Sequence, residues 1–245
     1  MFRCEWSDPV LVRELIEGVS DLVDTASFHV DGEKIRIEAS DPSIICKIEI
    51  EADKRSFSIY EIDSEIDFYL DINLMKKICR RLRSGDKISI NVENNYLEFT
   101  IHNFVERYFR IPLLEFGDPL PQINMEASTF LRIKAEVFTD LIKDIAVIGS
   151  SLIIKATEDE IIFFSEEEGV RSSITISKDN GAIEEFRVDK ECISKFNLSY
   201  ILSFLKTVSS AEFIEIFFGN KDTPLKLECS NETGMIRFYL APMEI

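Results

Sequence analysis

Histidine is nearly absent from this chain: His29 and His102 are the only two in 245 residues, and neither stands beside a cysteine or at helical spacing from another histidine. Five cysteines (Cys4, Cys46, Cys79, Cys192, Cys229) are scattered, odd in number and never spaced as Cys-x-x-Cys. Zinc ligation and a disulfide framework are therefore both disfavoured, and the thiols read as small buried hydrophobes. No apolar run approaches the ~18 residues that span a bilayer, and the Met1-Phe2-Arg3-Cys4 start lacks the basic and apolar regions of a secretory signal. A soluble, intracellular chain with no membrane partner is expected. Also missing are a glycine-rich phosphate loop, a nucleophile elbow and a Cys–His constellation, so an enzyme is the weaker hypothesis. Glu158-Asp159-Glu160 and Glu166-Glu167-Glu168 read as solvated turns, because adjacent carboxylates point apart instead of converging on a cation. No catalytic residue, metal ligand or cofactor is assigned.

What is present is a pattern stated twice. Leu15-Ile16-x-x-Val19-x-x-Leu22 recurs as Leu141-Ile142-x-x-Ile145-x-x-Ile148, and Ile72-x-x-Met75-x-x-Ile78-Cys79 recurs as Leu198-x-x-Ile201-x-x-Phe204-Leu205. Every one of these pairings is separated by 126 residues. The offset continues from Ile88 and Ile90 to Ile214 and Ile216, then slips by two where Leu97 and Phe99 meet Leu225 and Leu227. A duplicated domain accounts for this, and the length gives each repeat enough chain for its own core. A chain with internal two-fold repetition is suited to building a closed ring from few copies.

Apolar stripes at i, i+3 and i+4 predict helices over 9–23, 72–82, 136–148 and 198–208. Pro9 suits a first helical turn behind Asp8 as N-cap, and Gly149 suits a helix stop. Period-two alternation predicts strands over 28–30, 34–37, 44–50, 56–60, 66–70, 87–92 and 96–101, with the scheme repeated in the second half. Each repeat reads as helix, strands, helix, strands: an α+β fold in which strands dominate. Two prolines and a glycine in Glu115-Phe116-Gly117-Asp118-Pro119-Leu120-Pro121-Gln122-Ile123-Asn124 break both periods. Residues 115–125 are thus the connector between a domain at 1–114 and one at 126–245. Leu120 and Ile123 on that connector either pack against a sheet or offer a docking surface.

The net charge of −17 argues against a nucleic-acid binder until it is resolved along the chain. Between Ile72 and Arg83 there are five cations (Lys76, Lys77, Arg80, Arg81, Arg83) and no acid. Against so acidic a background, one cationic face would orient a polyanion. Arg13, Lys143 and Lys206 lie on the polar sides of the other helices, and Lys206 follows Arg80 by the repeat distance of 126. Glu14, Glu17, Asp21, Asp140 and Asp144 dilute helices one and three. No recognition-helix pattern for reading base edges is present.

Four short motifs then carry a family resemblance: Asp41-Pro42-Ser43-Ile44-Ile45, Phe109-Arg110-Ile111-Pro112-Leu113-Leu114, Gly219-Asn220 with Thr223-Pro224-Leu225, and Phe238-Tyr239-Leu240-Ala241-Pro242. Their order and spacing, with the duplication and the length, resemble the proliferating cell nuclear antigen type of DNA sliding clamp across the whole chain, closer to archaeal than to eukaryotic members. The resemblance implies a duplicated two-domain DNA-clamp fold, each domain of antiparallel β-sheets with two helices, assembling into a pseudo-sixfold ring of three chains around duplex DNA. It implies lumen cations at Lys77, Arg80, Lys143 and Lys206, with Arg13, Lys76, Arg81 and Arg83 beside them. Glu14, Ser20 and Val147 depart from the family's more basic pattern.

The resemblance also implies a groove for peptides of DNA polymerase, clamp loader, flap nuclease and DNA ligase (PIP-type peptides) at Ser40, Ile44, Ile45, Leu120, Ile123, Pro224, Tyr239, Ala241 and Pro242. Lys47 and Ser40 depart from the family there, toward a more polar pocket. Edge strands at 105–111 and 172–178 would join subunits through Tyr108, Arg110, Ile111, Ile174 and Ile176, as a homotrimer or with paralogous chains. The implied location is the cytoplasm at the nucleoid for an archaeal source, the nucleus for a eukaryotic one. A scaffold that binds partners without DNA is the alternative.

Overall fold

A computed structural model describes all residues except 7, 116–119, 121, 209, 232–233 and 245, and the side chain at 231. The chain forms two compact units, Met1–Pro121 with Ser230–Ile236, and Gln122–Cys229 with Arg237–Ile245. In the first unit the order is β1 (Phe2–Trp6), α1 (Pro9–Ser20), β2 (Thr25–Val30), β3 (Lys34–Ser40), β4 (Cys46–Asp53), β5 (Ile59–Ile62), β6 (Ile66–Asp71), α2 (Ile72–Cys79), β7 (Lys87–Glu93), β8 (Tyr96–His102) and β9 (Arg107–Pro112). The second half of the chain repeats it: β10 (Thr129–Lys134), α3 (Ala135–Ala146), β11 (Ser151–Ala156), β12 (Glu160–Glu167), β13 (Val170–Ser177), β14 (Ile183–Val188), β15 (Cys192–Asn197), α4 (Leu198–Thr207), β16 (Phe213–Phe218), β17 (Leu225–Asn231) and β18 (Gly234–Leu240).

The duplication extends to strand order. Strands β5-β1-β7-β8-β9 and β4-β3-β2-β6 of the first repeat correspond one for one to β14-β10-β16-β17-β18 and β13-β12-β11-β15 of the second repeat. Neighbouring strands are antiparallel, as in Cys4↔Ile90 and Ile154↔Ser194. Two end strands matter later. β9 closes one side of its sheet beside β8, and β13 closes one side of its sheet beside β12.

Helices and sheets of a unit share one core. Val12 and Ile16 of α1 and Met75, Ile78 and Cys79 of α2 join Phe2, Phe68, Ile88, Phe99 and Ile111 from the strands in one buried cluster. In the second unit Phe138 of α3 meets Phe163 edge-on at 6.0 Å, and Phe204 of α4 stacks on Phe238 at 5.0 Å. Each is fully buried, so the apolar stripe read from sequence is the packed face of its helix. All five cysteines are buried, and burial pushes the thiols of Cys4, Cys46, Cys79 and Cys229 up to about 12.

Several local expectations need correction. Each repeat opens with a strand, β1 or β10, before its first helix; Phe2-Arg3-Cys4 alternates too briefly to register as a period. The strand expected from 44 begins at Cys46, because Ile44 adopts a left-handed φ of 54° inside a loop. Lys54–Ser56 is a 3₁₀ turn, so the next strand starts only at Ile59. Helix α2 ends at Cys79 with Arg80 as its cap, which leaves Arg81 and Arg83 outside it. Gly149 has a steric role instead of a capping one: α3 is capped by Val147, and a Cβ at 149 would collide with Ser165 Oγ. Pro9 does sit at the start of α1, with Asp8 accepting from the Leu11 N–H at 3.1 Å.

Candidate functional site

The cationic helix presents its charges less freely than its sequence suggests. Helices α1 and α2 pack together, and two ion pairs cross between them: Arg80 Nε lies 3.2 Å from Glu17, and Lys76 Nζ lies 2.9 Å from Asp21. Arg13 reaches the Leu82 carbonyl at 3.5 Å. Lys77 is exposed on the last turn of α2. In the second unit Lys143 and Lys206 are exposed and line one groove of about 770 Å³ between α3 and α4, with Asp140 3.7 Å from Lys143. Sequence reading missed the two cross-helix pairs. Their signal was available, since Glu17 and Asp21 stand four apart, as do Lys76 and Arg80, which puts each pair of residues on one helix face.

Arg81 and Arg83 are exposed in the turn after α2, and a buried carboxylate fixes that turn. Asp86 accepts hydrogen bonds from Arg107 Nη2 at 2.7 Å, Asn103 Nδ2 at 2.6 Å and the Arg83 N–H at 2.9 Å. Arg107 also donates to the Arg81 carbonyl at 2.9 Å, so the first residue of β9 is tied to the turn after α2. Burial acts to raise the Asp86 carboxyl, but these hydrogen bonds outweigh it and hold the group below the ordinary carboxylate range.

The expected partner residues fall on surfaces of both units. In the first, Asp41 closes the loop after β3 by accepting from the N–H groups of Ser43 and Cys46, and Ser40 donates to the Cys46 carbonyl at 2.8 Å. That loop leaves Ile44 61% and Ile45 40% exposed, which rules out ordinary core packing for them. In the second, Ile123 and Tyr239 line a cavity of about 550 Å³ with Asn124, Met125, Glu126 and Lys226. Pro224, Ala241 and Pro242 are partly buried, as is Leu120; the rest of the connector at 116–119 and 121 lies outside the described residues. Lys47 is buried between Glu38 at 3.0 Å and Glu49 at 2.8 Å. Burial acts to lower its pKa, and the two carboxylates overcome that and raise it, so the polar substitution is neutralised internally.

On the end strands, Tyr108 is 54% exposed with its hydroxyl donating to Glu98 at 2.7 Å, and Arg110 stacks over the Tyr96 ring at 3.9 Å. Ile111 and Ile176 are buried in their own units, so at the edges they offer backbone, while Ile174 is half-buried.

One arrangement could be mistaken for a hydrolytic triad. Ser89 Oγ is 2.8 Å from His102 Nε2, and His102 Nδ1 is 3.1 Å from Glu106. Ser89 lies inside the ladder between β1 and β8, and Glu5 stands 3.3 Å from its hydroxyl. A carboxylate there opposes the oxyanion that acyl transfer must stabilise.

Two copies of one antiparallel module, each with a helix pair and with an end strand available for pairing, define a two-domain protein of the DNA-clamp class. The model of the proliferating cell nuclear antigen N-terminal domain matches residues 1–108, and that of the C-terminal domain matches 121–243. The chain belongs to that family. It is similar to the protein named DNA polymerase sliding clamp in Methanococcus maripaludis, with 30% identity over 99% of this chain and 98% of that one. The clamp of the same name from Thermococcus onnurineus is 29% identical, covering 94% and 93%. Among solved structures, the Thermococcus kodakaraensis antigen superposes with a TM-score of 0.91 at 21% identity over 99% of this chain and all of that one. The PCNA2–PCNA3 complex of Sulfolobus tokodaii gives 0.89 at 22% over 98% of each chain.

Proposed function

We infer that this chain is the subunit of a DNA polymerase sliding clamp: three copies close into a ring around duplex DNA and tether polymerase and other replication and repair proteins by short peptides. The observation that carries the reading is the pair of end strands, β9 and β13, on repeats of one design. Open edges invite unwanted pairing, and joining β9 of one copy to β13 of the next disposes of both. Such a head-to-tail contact is heterologous and closes into a ring when its rotation permits. Charge favours a second copy of this chain as the partner. Arg81, Arg83 and Arg110 lie at or beside β9, whereas α3, packed on β13, exposes Glu136, Asp140 and Asp144.

Retention then comes from topology, and the reading assigns the chain no bond-making step. The helices would face the duplex through Lys77, Lys143 and Lys206, with Lys76 and Arg80 in ion pairs with Asp21 and Glu17 and Arg13 reaching the Leu82 carbonyl. Contacts of this kind with phosphates carry no sequence information and permit sliding. Exposed Ile44 and Ile45 and the cavity beside Tyr239 supply apolar anchoring of the kind in which peptide affinity concentrates. Light scattering near physiological salt tests the assembly. A mass near three times 28.2 kDa is expected for the purified chain alone. A monomer would overturn the ring of identical chains.

A further inference from the structure

We propose that Phe104 and Val105, in the turn that leads into β9, anchor each chain to the next by seating against the end of β13 and the first turns of α3 on a second copy. The proposal rests on the reading that β9 of one copy joins β13 of the next, and it adds to that backbone pairing the side chains that hold it. Phe104 is 103% exposed and Val105 68%, so the fold of a single chain gains little from either. Exposed apolar residues standing singly are common and need no explanation. These two are adjacent, Tyr108 continues them along the same edge, and polar bonds hold the turn that carries them. Asn103 Oδ1 accepts from the Phe104 N–H at 2.8 Å, while its Nδ2 donates to buried Asp86 at 2.6 Å. Arg107, two residues beyond Val105, donates to the same carboxylate at 2.7 Å. An aromatic side chain presented on a preformed turn loses little freedom on docking, and binding energy concentrates in anchors of that kind.

Continuity and charge choose the occupant. Phe104 and Val105 stand immediately before β9, whose free edge a second copy would cover. The described strand pairs are antiparallel, and an antiparallel joint brings the start of β9 to the last residues of β13. The first turns of α3 lie at that end. The Lys134 N–H before α3 donates to the Ala182 carbonyl beyond β13 at 3.0 Å, whereas Val147 and Ile148 after α3 line one cavity with Val170, the first residue of β13. Glu136 and Asp140 are exposed on those first turns. The start of β9 carries the opposite sign, since Arg107 donates to the Arg81 carbonyl and Arg83 lies in the same turn. Cations thus meet acids where Phe104 and Val105 meet the half-buried Val137 and Ala182. An apolar contact bordered by complementary charge combines affinity with a fixed register.

The test is mass against concentration for the full chain, by sedimentation equilibrium. Phe104→Ser with Val105→Ser should dissociate at a chain concentration at least about tenfold above the parent's, as truncation of a hot spot does, with the circular dichroism spectrum unchanged. Ile193→Ser removes an exposed apolar side chain from β15, at the opposite end of the sheet from β13, and should match the parent. A cross-link fixes the seat. A chain carrying Glu106→Cys, which keeps both anchors, is mixed with one carrying Asp179→Cys or Val170→Cys and mildly oxidised; the native thiols are all buried. A covalent dimer should form with Asp179→Cys and not with Val170→Cys. Cross-linking at 170, or none at 179, would overturn the seat. If the parent is a trimer and Phe104→Ser, Val105→Ser dissociates at the same concentration, the anchor is wrong and the ring reading survives. If the parent stays monomeric at every concentration, the ring of identical chains falls and the anchor falls with it.

Discussion

Replacing Lys77, Lys143 and Lys206 together by Ala is expected to weaken binding to duplex DNA more than tenfold near physiological salt while leaving the assembled mass unchanged. Three cations lost per chain become nine lost around a ring of three. Non-specific affinity scales with the number of neutralised phosphates, and a loss of several contacts between low and physiological salt is worth orders of magnitude. These three are chosen because each is an exposed cation on a helix. None of the three lies on the end strands, so assembly is spared. A salt titration by fluorescence anisotropy checks affinity, and light scattering checks the ring. Parent-like affinity would remove the lumen assignment from all three lysines.

The second large effect is on stability. Asp86→Ala should destabilise the first unit by about 3 kcal/mol, the scale for removing one member of a buried charged network and leaving the other unpaired. The Asp86 side chain is fully buried, and its removal orphans Arg107, Asn103 and the Arg83 N–H at once. Because Arg107 also holds the Arg81 carbonyl, the variant should loosen β9, and assembly should weaken together with the fold. A pH dependence accompanies this. The carboxyl is depressed in the folded state, so its contribution is complete above its unfolded pKa and is lost as pH falls through the folded value. Urea unfolding of the parent and of Asp86→Asn across the acid range measures this: the parent should lose more stability on acidification than the variant. Equal acid sensitivity would place the carboxylate outside the network's energetics.

Helix positions were legible because their stripes recur at a fixed distance and end up in closed cores, as Phe204 on Phe238 shows. Helix ends were less so: Ile78, Cys79 and Leu82 keep a helical spacing past the point where Arg80 caps α2, since Leu82 stays buried from a turn. Strand β1 was missed because its alternation covers only a few residues at a terminus, and its place is fixed by pairing with β5 and β7, which are distant in sequence. For the site, residue type and spacing gave the cations but not their freedom. Whether Lys76 is available to a phosphate depends on Asp21, 55 residues away. Asp86 gave no sequence signal, because a buried carboxylate and a solvated turn acid look alike until Arg107 folds back on it. Ile44 and Ile45 were assigned as anchors by resemblance, and the Asp41-centred loop turns both outward.

The central claim is that DNA is held by encirclement, and the most direct measurement is retention on closed against linearised duplex. The labelled chain, loaded onto a nicked plasmid, is passed through a gel-filtration column near physiological salt before and after a single restriction cut. The account predicts that the chain travels with the circle and is released within minutes of linearisation, by sliding off the ends. Equal retention on both forms, or release from the circle itself, would contradict it.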